Sequence, residues 1–187
     1  MTPLAGMRFA GLFEGPLQKA IHHLKYRNDY ILADSLAVRL PLVGPDPAAP
    51  GTLVVPVPLA AERLRERGYN QAGLLARTFA ELHGLPWAPS AARRVRHTAS
   101  QIGLSPAERR ANVAGAFAAD PLIVQGLPII LVDDVCTTGA TLAACAESLV
   151  SAGATTVWGL TLARALIPDG LVNVLLQQHF GRGRQLV

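Results

Sequence analysis

Two adjacent carboxylates and three threonines lie within "IILVDDVCTTGAT", residues 129–141. Ionised carboxylates only accept hydrogen bonds, so Asp133 and Asp134 suit vicinal hydroxyls or the water shell of a divalent cation. Thr137, Thr138 and Thr141 can donate, and Gly139 lets the backbone approach a ligand closely. Placed just before a helix, residues 137–141 (Thr137, Thr138, Gly139, Ala140, Thr141) add the helix's own N-terminal amides and positive partial charge. That combination can cradle a phosphate. A sugar phosphate satisfies both halves, with its hydroxyls on the acids and its phosphate on the loop.

Competing readings exist for the same residues. "IILVDD" also resembles the acidic strand of nucleotide hydrolases, but the chain holds no G-x-x-x-x-G-K-[ST] segment to cradle a triphosphate. Cys136 precedes a helix start, where a thiolate would be favoured, yet no histidine lies near it in sequence. A ligand-free strand, turn and helix is the plainest alternative, and the paired acids argue against it.

The elements that must position these residues follow from periodicity. Residues 129–132 read as a buried strand with the acids at its carboxyl end, and the following helix is expected from near Thr141 to residue 154. On that helix Leu142, Cys145, Leu149 and Val150 should face inward. "TLVVPVP" (52–58) and "TTVWGLTLA" (155–163) read as further strands. Residues 14–40 carry helical spacing, as does 71–84, where Leu75, Phe79 and Leu82 share a face and Gly84 closes the helix. Residues 41–51 form a Pro/Gly connection. Residues 88–118 are arginine-rich and only weakly periodic, as functional or moving segments often are. Strand, helix and strand in repeated order predict one α/β domain with a mostly parallel sheet. Ligands of such sheets bind outside the carboxyl ends of the strands.

Half of the 187 residues are hydrophobic and 16% are charged, which excludes a disordered chain. Aromatics make up 5%, so the core must be aliphatic. The net charge is +4, carried almost wholly by arginine, which suits planar recognition of phosphate. Two cysteines, Cys136 and Cys145, give neither a zinc spacing nor a disulfide framework. With no spanning apolar run and no leader pattern, the expectation is a cytoplasmic protein without a membrane association.

"ILVDDVCTTGAT" resembles the phosphoribosyl diphosphate signature of type I phosphoribosyltransferases. "VVPVPLAAERLRERGYNQAGLLA" (54–76), "RVRHTASQIGLSPAERRANVAGAF" (94–117) and "AGATTVWGLTLAR" (152–164) are similar to the ComF family of competence-associated phosphoribosyltransferase-like proteins. The resemblance covers residues 12–165 of one domain spanning 1–187, with 166–187 as an extension. It implies the type I phosphoribosyltransferase fold, with a central parallel sheet, flanking helices and a small hood. It also implies ribose-hydroxyl or Mg²⁺-water contacts at Asp133 and Asp134, and a 5-phosphate loop at 137–141. Diphosphate would lie near Val57, Pro58, Arg63 and Arg67, and a closing segment would carry Arg96, Gln101, Arg109, Arg110 and Asn112. Mg²⁺ would accompany phosphoribosyl diphosphate, with no metal held directly by the protein.

ComF proteins commonly begin with a cysteine-rich zinc module. This chain has no cysteine before Cys136, so no zinc is expected. Two functions stay open from the resemblance. One is phosphoribosyl transfer to an unidentified nitrogen nucleophile. The other is a non-catalytic module that senses a phosphosugar or binds single-stranded DNA during uptake. Partners implied are phosphoribosyl diphosphate or another sugar phosphate, single-stranded DNA or the DNA-uptake helicase machinery, and a second copy in a homodimer. For DNA, Arg93, Arg94, Arg96, Arg109, Arg110, Arg182 and Arg184 are the expected contacts, with no aromatic residue in that segment to stack bases. His97 is a further phosphate contact to consider, whereas His22 and His23 read as surface or packing residues.

Overall fold

A computed structural model describes residues 3–27, 29–41, 51–96 and 105–165 of the chain. The elements follow as β1 (Gly6–Leu12), α1 (Gly15–Tyr26), α2 (Leu32–Ala37), β2 (Leu53–Pro56), α3 (Ala61–Arg67), α4 (Gln71–His83), β3 (Ala92–Arg94), α5 (Pro106–Val113), β4 (Phe117–Ala119), α6 (Pro121–Val124), β5 (Pro128–Cys136), α7 (Ala140–Ser151) and β6 (Thr156–Arg164). Four strands form one parallel sheet in the order β1-β6-β5-β2, and β3 and β4 form a separate antiparallel pair.

The sheet is buried on both faces, as continuous apolar strands require. On one face Val54, Ile130, Val132, Leu160 and Leu162 pack against α1, α2 and α4 through Ile21, Leu24, Leu36, Leu75 and Phe79. On the other, Leu53, Val55, Ile129, Leu131 and Val157 pack against α7 and the β3–β4 pair through Leu142, Cys145, Leu149 and Phe117. The core is aliphatic and alanine-rich, in line with the scarcity of aromatics.

Several boundaries differ from the sequence expectation. The central strand does not stop at Val132; it runs to Cys136 and carries both acids within it, and α7 begins at Ala140 rather than Thr141. Leu82 and Val150, expected inward, are exposed, because each lies one residue off the buried stripe of its helix. The 14–40 stretch divides into two helices, α1 and α2. The described parts of 88–118 hold two short strands and α5, which pair with each other and pack on α7.

β1 went unread in the sequence. It is an edge strand whose glycines and Arg8 hide its period. Gly6 is required there, because a Cβ would meet the Trp158 ring at 2.4 Å.

Candidate functional site

Because side chains alternate along a strand, Asp133 and Asp134 leave β5 on opposite faces. Asp133 turns toward α7. It lines a cavity of about 20 Å³ together with Val135, Cys136, Thr137, Gly139, Ala140, Thr141 and Leu142. That is room for a single water. Asp134 turns toward α1, where its Oδ1 lies 3.1 Å from Lys25 Nζ. Asp134 is 3% exposed, and its Oδ2 is buried with no hydrogen-bond partner. The two acids therefore sit in different surroundings, which adjacency in sequence did not reveal.

The backbone amide of Asp134 donates to Asp133 Oδ1 at 2.8 Å. Burial pushes the Asp133 carboxyl up to about 7, and repulsion from Asp134 adds to it; Lys25, that amide and Arg94 pull the other way. Near neutral pH Asp133 thus holds a proton part of the time.

The loop after β5 turns through a left-handed glycine into α7. Gly139 is the N-cap of α7 with φ 79°, a left-handed conformation that costs other residues about 1 kcal/mol or more. Thr138 Oγ1 accepts from the Ala140 amide at 3.4 Å. No acidic residue sits in the first turn of α7, so nothing in that turn neutralises the helix's positive end. All five residues expected to form the cradle, 137–141, lie on this loop and helix start.

The surroundings of Cys136 favour the thiol over the thiolate. Burial pushes its thiol up to about 11, and Arg164 Nη1 lies 3.5 Å from its sulfur. A protonated, buried thiol is inert.

One arginine, Arg94, bears on Asp133, and the charges of Arg63 and Arg96 bear on Arg94 in turn. Arg94, on β3, lies over the Phe117 ring at 5.4 Å. Burial lowers its pKa, and the charges of Arg63 and Arg96 lower it further, while Asp133 opposes them. Sequence reasoning grouped Arg94 only with the DNA contacts. Its pairing on a three-residue strand beside α7, which turns it toward Asp133, had no periodic signal. Arg96 Nη2 donates to the carbonyls of Asn112 at 2.9 Å and Ala114 at 2.7 Å, so it caps the end of α5.

Elsewhere the expected contacts are engaged locally. The Val57 amide donates to Val132 O at 2.8 Å, and its carbonyl accepts from Asn70 Nδ2 at 3.0 Å. Pro58 has no amide to offer. Asn70 also accepts from Ala72 N as the N-cap of α4. Sequence reasoning missed Asn70, although Asn before a periodic run is a cap signal. Arg63 and Arg67 share α3; Arg67 donates to Gln71 Oε1, and its guanidinium lies over Tyr26 at 5.5 Å. His22 contacts the rings of Phe13 and Tyr26, and His23 pairs with Asp29. Gln101, His97, Arg182 and Arg184 lie outside the described residues. Arg109 and Arg110 lie on α5, with their side chains outside the description.

Among the described residues no group of three His, Cys, Asp or Glu side chains forms a metal cage, and no helix is long and apolar enough to cross a membrane.

No family model matches the chain. It is 40% identical over 157 residues to the DNA utilization protein YhgH of Salmonella typhi, covering 81% of this chain and 68% of that protein. It is 35% identical over 167 residues to competence protein F of Haemophilus influenzae, covering 84% of this chain and 72% of that one. Among solved structures it resembles the glutamine phosphoribosylpyrophosphate amidotransferase of B. subtilis, with a TM-score of 0.50 at 19% identity; the match covers 84% of this chain and 37% of that one. The parallel sheet flanked by helices is the fold of type I phosphoribosyltransferases.

Proposed function

The chain belongs to the family of competence protein F and DNA utilization protein YhgH, and from that premise we propose that it binds phosphoribosyl diphosphate in the service of DNA handling. The carrying observation is the placement of Asp133 opposite the 137–141 loop at the N-terminus of α7. In this reading the 5-phosphate sits at the mouth of that loop, on backbone amides and threonine hydroxyls. Asp133, when ionised, accepts from a ribose hydroxyl. Arg94 and Arg63, whose charges already bear on each other, supply the positive side facing a diphosphate.

Mg²⁺ fits this site only as part of the ligand. A small hard cation keeps several waters and takes one or two carboxylates beside phosphate oxygens. Asp133 is placed to reach its waters, whereas Asp134 is committed to Lys25. The ion would neutralise charge on a departing diphosphate, and the arginines would share that task.

Calorimetry with ribose 5-phosphate and with phosphoribosyl diphosphate plus Mg²⁺ tests the reading. Both should bind, and Asp133→Asn should weaken both; failure of both ligands to bind would sink it. Diphosphate release with a panel of bases separates a transferase from a sensor. Binding without release assigns the sensor.

A further inference from the structure

The chain has three tyrosines, and the structure brings all of them to one surface. Tyr30 meets Tyr69 edge-on, with centroids 6.4 Å apart, and the Arg67 guanidinium covers the Tyr26 ring at 5.5 Å. The Tyr69 hydroxyl donates to Leu24 O, and Arg67 donates to Gln71, so both are held in place from behind. Tyr26 and Tyr30 are left 73% and 59% exposed, with Ile31 exposed next to Tyr30 in the chain. Arg27 is exposed next to Tyr26, and Asp29, whose charge bears on Tyr69, offsets part of the positive charge of Arg27 and Arg67. Tyr69 packs against the core, but core packing does not account for the exposed rings of Tyr26 and Tyr30. The surface adjoins the sheet's carboxyl end through Lys25, the residue before Tyr26, which pairs with Asp134.

Exposed rings stack unpaired bases without regard to sequence, and arginines beside them hold the phosphates. The described part of the arginine-rich hood offers no exposed ring for stacking. Arg96 is occupied with two carbonyls, Arg94 is turned toward Asp133, and the neighbouring Phe117 ring is buried.

We propose that Tyr26, Tyr30 and Arg67 form a platform for single-stranded DNA, with bases on the rings and phosphates toward Arg67 and Arg27. The choice of DNA rests on the DNA-handling role proposed above. Duplex DNA, whose bases are already stacked, has no faces to offer this surface.

Fluorescence anisotropy at low salt tests the platform with labelled oligothymidylate about 20 nucleotides long, an abasic strand of equal length, an RNA strand and a duplex. Oligothymidylate should bind best, and the abasic strand about tenfold more weakly. Tyr26→Ala with Tyr30→Ala should weaken oligothymidylate binding by about tenfold or more, while Tyr26→Phe with Tyr30→Phe should retain it. Both side chains are exposed, so the variants should fold, as circular dichroism can check. No nucleic-acid binding at low salt, or an unchanged affinity in the double alanine variant, overturns the proposal. Equal binding of abasic and intact strands overturns stacking, and preference for RNA overturns the choice of DNA. Ribose 5-phosphate calorimetry on the same variants should be unchanged; a parent protein that binds DNA and no sugar phosphate refutes the other reading alone.

Discussion

Lys25 Nζ lies 3.1 Å from Asp134 Oδ1 and joins the last turn of α1 to the carboxyl end of β5. The contact crosses from the N-terminal helix to the central strand. It gives the buried Asp134 carboxylate its ionic partner.

Removing that partner should be expensive. Lys25→Met leaves a carboxylate 3% exposed without its cation, and breaking such a pair costs about 3 kcal/mol. The lower end of the usual range applies, because the Lys25 side chain keeps 20% of its surface exposed. Urea denaturation should show this loss, and Lys25→Met with Asp134→Asn should recover part of it. Equal stability of parent and Lys25→Met would mean that the pair contributes nothing.

Asp133 predicts a pH dependence of the opposite sign to a typical carboxylate. Its folded pKa is raised to about 7, against about 3.9 in an unfolded chain. Between those values the folded state binds more protons, so this group's contribution to stability falls as pH rises from about 4 to about 7 and is flat above. Asp133→Asn should remove that slope and unfold at a higher temperature than the parent at pH 8. Thermal melts across this window check it; a steeper fall with pH in the variant would contradict the assignment. Ribose 5-phosphate affinity in the parent should rise through pH 7 as the carboxylate forms.

Long apolar segments made much of this legible. β2, β5 and β6 are near-continuous aliphatic runs, and α4 announces itself through Leu75, Phe79 and the left-handed Gly84. The turn at 137–141 was legible because a glycine there separates an apolar strand run from a helical period. What stayed hidden depended on tertiary placement. Nothing in adjacency tells that Asp133 and Asp134 part to opposite faces, since that needs the strand to continue past Val132. Arg94 and Tyr26 are single residues on short or terminal turns, and only packing against Phe117 or Arg67 gives them a direction.

Gly139→Ala isolates the loop backbone. A Cβ there would meet only Cys136 Sγ at 3.8 Å, an ordinary contact. The expected cost is therefore conformational, about 1 kcal/mol from forcing alanine to φ 79°. Ribose 5-phosphate binding should weaken by more than that, because the loop relaxes away from its cradle. A variant that loses stability yet binds ribose 5-phosphate as the parent does would remove the loop from the phosphate site.

Arg94 separates the two ends of the proposed ligand. Its charge bears on Arg63, Arg96 and Asp133, while the cavity that Asp133 shares with the 137–141 loop is lined without it. An arginine held among other arginines gains most from a ligand that brings several negative charges. Phosphoribosyl diphosphate does so at C1, and ribose 5-phosphate does not. At a pH well above 7, where Asp133 is ionised with or without Arg94, Arg94→Gln should therefore lower phosphoribosyl diphosphate affinity by about tenfold or more, the value of one charged hydrogen bond, and leave ribose 5-phosphate affinity unchanged. Losing the stack on Phe117 should cost about 0.5–1 kcal/mol of stability, which urea denaturation can measure separately. Calorimetry with both ligands decides the assignment. An equal loss for both would make Arg94 a support of the hood, and no loss for either would place the diphosphate elsewhere.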